Sequence, residues 1–91
     1  MFYAPTDESD ALAACLTVAF SEGLSKIHIK EPKAAPDTVY LMKHLTCPAV
    51  ILEYGFITNP AEEQYLLKSE NQCMLAYLTV CGSIRFINEK G

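Results

Sequence analysis

Glu53 is the residue of this 91-residue chain whose neighbours best suit it to move protons. It closes the apolar run Ala49-Val50-Ile51-Leu52, whose two β-branched members give it the composition of a strand buried on both faces, as in a parallel sheet. Gly55 follows in the turn, and Asn59-Pro60 with Glu62 reads as a helix start, with Asn as N-cap, Pro at the first helical position and Glu at the third. Glu53 is thereby predicted at the carboxyl end of a strand, between sheet and helix, where open α/β sheets bind their ligands. The plain alternative is an ordinary strand, turn and capped helix, with Glu53 a solvated loop residue.

Other residues able to do chemistry are sparse. His28, His44, Cys47 and Glu53 are the conceivable metal donors, but no pair has the spacing of C-x-x-C or H-x-x-x-H. His28 follows Lys26-Ile27 in a polar stretch and reads as a surface histidine. His44 falls near the end of a short helix from Thr38 to Leu45, where it meets the negative end of the helix dipole. The cysteines are at 15, 47, 73 and 81. Cys15 lies among Leu12, Leu16, Ala19 and Phe20 and reads as a small buried hydrophobe. Cys73 and Cys81 share one predicted helix, about 12 Å apart along its axis, too far to bridge. Cys47 has no evident histidine and acid to activate it. Reduced thiols fit a chain made in a cell that uses few disulfides.

The elements that must position these residues form one unit without repeats. Asp7 to Asp10 supply caps and negative charge for a helix to about Ser21, with the stripe Leu12, Cys15, Leu16, Ala19 and Phe20, and Gly23 ends it. Ser25 to Asp37, with Lys26, Lys30, Lys33, Pro32 and Pro36, reads as a solvated loop holding a short extended piece. After the strand, Pro60 to Leu67 forms a helix that turns Tyr65, Leu66 and Leu67 to the core. Ser69 or Asn71 caps a last helix to about Asn88. That helix carries Met74, Leu78, Cys81 and Arg85 on one stripe and Cys73, Tyr77, Val80, Ile84 and Ile87 on the next, a face wide enough to predict burial against a sheet. Ala49 to Leu52 is the one clear strand, with a candidate second at Met1 to Tyr3, so the expected sheet has raw edges that favour pairing with missing strands or self-association with another chain.

Composition narrows the class further. Hydrophobic residues make up 51% and mean hydropathy is +0.13, a surplus that suggests apolar surface meant for a partner. The net charge of -4, with seven scattered Lys and Arg, argues against nucleic acid. No apolar run approaches the roughly 20 residues of a membrane span. Met1 to Asp7 has neither the basic start nor the apolar core of a signal peptide.

The wording of two stretches carries a resemblance. Val39-Tyr40-Leu41-Met42-Lys43-His44-Leu45 and Cys47-Pro48-Ala49-Val50-Ile51-Leu52-Glu53-Tyr54-Gly55-Phe56-Ile57-Thr58-Asn59-Pro60-Ala61-Glu62-Glu63 closely resemble the C-terminal part of the zinc-dependent N-acetylmuramoyl-L-alanine amidases. The signature of those cell-wall hydrolases is Pro-Ala-Val, two apolar residues, Glu, any residue, Gly-Phe, an apolar residue and Ser/Thr-Asn. Phe2-Tyr3 ahead of an amphipathic helix, and a closing helix containing Leu75-Ala76-Tyr77, agree with it.

The resemblance implies an α/β fold of the amidase type. The whole chain, 1–91, would be the C-terminal half of its three-layer catalytic domain: one central buried strand, a candidate second at the N-terminus, and three to four helices. It implies hydrolysis of the amide between the lactyl group of muramic acid and L-alanine in peptidoglycan, outside the cytoplasmic membrane, with Glu53 as the catalytic carboxylate. Zinc is the implied cofactor of the intact enzyme. The family's ligands, two histidines and a glutamate, lie upstream of the part matched by Phe2-Tyr3, so the 91 residues alone are expected to bind no zinc and to be inactive, or to act as a peptidoglycan- or partner-binding module.

Overall fold

The structure, a computed structural model, describes residues 1–6, 8–24, 31–36, 40–52 and 60–90. Elements follow in the order β1 (Phe2–Tyr3), α1 (Ser9–Gly23), β2 (Lys33–Ala34), α2 (Tyr40–Lys43), β3 (Val50–Ile51), α3 (Pro60–Leu67) and α4 (Ser69–Lys90). The α/β class expected from the sequence holds.

The sheet is mixed, in the order β2-β1-β3. β2 runs parallel to β1, with Phe2 opposite Lys33, and the Lys33 and Ala35 amides donate to the Met1 and Tyr3 carbonyls at 3.1 and 2.8 Å. β3 runs antiparallel to β1, with Tyr3 opposite Val50, and the Ala4 amide donates to the Ala49 carbonyl at 2.9 Å. Two expectations are thereby corrected. The centre of the described sheet is β1, not Ala49 to Leu52, and β3 is a half-buried strand at its edge rather than one dry on both faces. An apolar run alone does not distinguish full burial from half-burial against one helix. The short extended piece expected between Ser25 and Asp37 is β2, which Pro32 and Pro36 confine to two residues because proline cannot donate to a ladder; residues 25–30 and 37 of that stretch lie outside the described residues.

α1 lies against both the sheet and α4. Leu16, Phe20 and Leu24 meet Leu75 and Leu78 in one core, with Met1, Leu12, Val50, Leu52, Tyr65 and Leu66 around it. The two long helices approach closely at Gly82, where an added Cβ would stand 2.9 Å from the Leu16 Cα and 3.2 Å from the Cys15 carbonyl oxygen. Only a residue without a side chain fits there.

α1 starts within the predicted acidic run: its N-cap is Glu8 and Asp10 lies in the first turn, but Glu8 is in a left-handed conformation with φ 70° and makes no side-chain capping bond, while the neighbouring Ser9 is fully buried. Asp7 lies outside the described residues. The α3 range is the predicted one, but Leu67 points outward, 67% exposed. The α3 carbonyls are met by side chains of the next helix: Asn71 Nδ2 donates to the Tyr65 carbonyl at 2.9 Å and Gln72 Nε2 to the Leu66 carbonyl at 2.7 Å. Asn71 thus closes α3 instead of starting α4.

The expectation that α4 is buried on a sheet is also corrected. Leu75, Leu78, Gly82 and Phe86 are its buried residues and it packs on α1. The stripe of Cys73, Tyr77, Val80, Ile84 and Ile87 lies mostly in solvent. Two helices meeting along a narrow ridge leave the far side of each uncovered.

Candidate active site

Glu53 lies outside the described residues, and so do His28 and the stretch from Tyr54 to Asn59. What is described is the approach to Glu53. The Ala49 amide donates to the Ser9 Oγ at 3.0 Å, the Ala49 carbonyl accepts from Ala4, and Val50 and Ile51 pair with β1. Val50 and Leu52 pack against the core of α1 and α4. Hydrogen bonds from two directions and apolar packing therefore hold the chain up to the residue before Glu53. Ser9 escaped the sequence reading, in which the acidic run Asp7 to Asp10 was assigned to capping. Its buried hydroxyl instead joins the first turn of α1 to the strand 40 residues on. Nothing in the local sequence separates a capping serine from one that accepts a distant amide.

The remaining chemical candidates are dispersed. His44 is exposed just beyond α2, which ends at Lys43 rather than at the predicted Leu45; residues 37–39 lie outside the described set. Cys47 is exposed as well. Among the described residues no three or more His, Cys, Asp or Glu side chains come together to hold a metal ion. The described donors do not fit zinc.

All four cysteines are free thiols. Cys15 is buried, as its apolar neighbours predict, and its Sγ donates to the Glu89 carboxylate at 3.3 Å. Burial, reinforced by the hydrogen bond and the negative charge of Glu89, pushes this thiol's pKa above its usual range. Such a thiol is a poor nucleophile at neutral pH. Between the end of α1 and the α3–α4 junction lies an open cleft of about 490 Å³, lined by Gly23, Leu24, Tyr65, Lys68, Glu70, Asn71 and Met74. None of these was singled out as catalytic from the sequence.

Comparison with known proteins resolves what this arrangement belongs to. The sequence matches the N-acetylmuramoyl-L-alanine amidase family over residues 1–83, from β1 into α4. The chain belongs to that family. The germination-specific N-acetylmuramoyl-L-alanine amidase of Bacillus subtilis (strain 168) is similar to it, 38% identical over 53 residues that make up 58% of this chain and 22% of that protein. The chain therefore spans well under two thirds of this curated relative. No solved structure matches it. Within the amidase family match, the tethered strand and Glu53 fall together in residues 1–83, and the strand is the one described element that leads directly into the carboxylate. No helix among the described residues is long and apolar enough to cross a membrane.

Proposed function

We propose that residues 1–91 are the C-terminal, Glu53-bearing part of a peptidoglycan amidase catalytic domain, one that hydrolyses the amide between the muramic acid lactyl group and L-alanine outside the cytoplasmic membrane. The observation that carries this is the family match over residues 1–83, which includes the whole Pro48 to Asn59 signature. Amide hydrolysis requires a proton to leave the attacking water and another to reach the departing amine nitrogen. One carboxylate can do both in turn, and Glu53 is assigned that role. The zinc that the resemblance implies would polarise the carbonyl. The resemblance implies ligands upstream of the part matched by Phe2-Tyr3, two histidines and a glutamate, and the described residues bring together no donor set for it.

The short span of the chain, 22% of the length of the Bacillus relative, leaves a second reading: a peptidoglycan-binding or partner-binding module derived from an amidase, with no turnover of its own. Product analysis separates the two. Purified peptidoglycan is incubated with the 91-residue chain and with a longer polypeptide that adds the rest of the catalytic domain. The amidase reading expects the longer form to release stem peptides with a free L-alanine amino group and no new reducing sugar ends. Sedimentation of the short chain with peptidoglycan, and no release by either form, is the outcome expected of the binding module and contradicts the amidase reading.

A further inference from the structure

Cys73, Tyr77, Val80, Ile84 and Ile87 recur along α4 at intervals of four, three, four and three residues. This is the 3.5-residue spacing of a coiled-coil seam, sustained over two heptads. On a helical projection it lies opposite Leu75, Leu78, Gly82 and Phe86, the side already packed on α1. Tyr77 is 63% exposed, Val80 56%, Ile84 51% and Ile87 64%.

We propose that this seam docks a second copy of the same chain, α4 against α4 about a two-fold axis. The spacing favours a helix as the occupant, because a 3.5-residue repeat keeps a narrow stripe facing one partner helix, whereas a sheet rewards a broad face. The borders of the seam favour an identical helix. Met74, Ala76, Cys81, Ser83 and Asn88 flank it and carry no charge, with Lys90 at the far end the exception. Two copies meeting there face none of the like-charge opposition that usually prevents self-pairing. The small side chains of Ala76, Cys81 and Ser83 suit close approach.

Area is sufficient as well. The seam and Met74 expose on the order of 500 Å² per chain, so a symmetric pair that covered all of it would bury about 1,000 Å², the low end for a specific interface. The outer strands β2 and β3 are two residues long each and present far fewer groups to a neighbour.

The test is the mass of the 91-residue chain in solution, measured by sedimentation equilibrium over a wide range of protein concentration. The expected result is a shift from one chain to two, with a melting temperature that rises with concentration. Ile84→Glu should hold the chain at single mass with unchanged helix content, and Ala34→Glu, on the exposed β2, should dimerise like the parent. A parent that stays single throughout overturns the proposal. So does dimerisation that survives Ile84→Glu but is lost in Ala34→Glu, which would place the contact at the sheet edge. A longer catalytic-domain polypeptide that is monomeric and loses thermal stability on Ile84→Glu would show the seam covered within one domain, and would overturn it too.

Discussion

The helix pair α1–α4 and the sheet β1–β3 are built to different standards. The helices, 15 and 22 residues long, meet through Leu16, Phe20, Leu24, Leu75 and Leu78 around the close approach at Gly82. The strands are two residues each, and their ladder is extended by single bonds from Ala4, Lys33 and Ala35. Yet it is the sheet that leads into Glu53. With Glu53 in its proposed role, stability and chemistry are separable here: apolar burial between helices sustains the fold, while a few directional bonds place the end of β3. Damage to the first should lower the melting temperature, and damage to the second should lower activity beyond what the melting temperature explains.

The largest effect is expected at Leu16, 2% exposed and central to the helix contact. Leu16→Ala should cost about 2–5 kcal/mol in denaturant unfolding, the usual range for truncating a buried leucine. A cost below 1 kcal/mol would show that the helix pair is not the stabilising half.

Gly82→Ala comes next. Alanine is better than glycine in a free helix by about 1 kcal/mol, but here the new methyl meets the Leu16 backbone at 2.9 Å. Separation of the helices should outweigh propensity, giving a net loss of about 1–3 kcal/mol. A stabilised variant would mean that α1 and α4 are not in such close contact.

How much of this was legible in the sequence follows from the range of the interactions concerned. The α3 limits could be read because Pro60 fixes the start of a helix locally. The burial of Cys15 could be read from its helical neighbours. The buried side of α4 could not, since both of its stripes are apolar and only the position of α1 decides between them. Nor could β3's place at the edge of the sheet, which depends on pairing with the distant β1, Phe2 opposite Ile51 and Tyr3 opposite Val50. Ser9 is similar: its role is set by an amide on a different element. The chemistry of the site was legible only as a signature around Glu53, not as a constellation, because the sequence holds no spaced set of partners for it.

Ser9→Ala sharpens the comparison from the other side. It leaves the Ala49 amide without its acceptor, a loss of about 1–3 kcal/mol. In a catalytically competent form, activity should fall by more than the unfolded fraction accounts for, because the strand before Glu53 loses its link to α1. Activity that merely tracks the folded fraction would reduce Ser9 to a structural role.

Glu53→Gln is the direct test of the central claim. Gln keeps the size of the side chain but cannot take a proton, so amide hydrolysis in a form carrying the whole catalytic domain should drop by the roughly 10²- to 10⁴-fold typical of general acid–base catalysis. The melting temperature should not move. Glu63→Gln, in the first turn of α3, is the control and should change stability by no more than about 0.3–1 kcal/mol. Release of L-alanine-bearing stem peptide is measured for both: a Glu53→Gln enzyme near parental activity would contradict the assignment of proton transfer to Glu53.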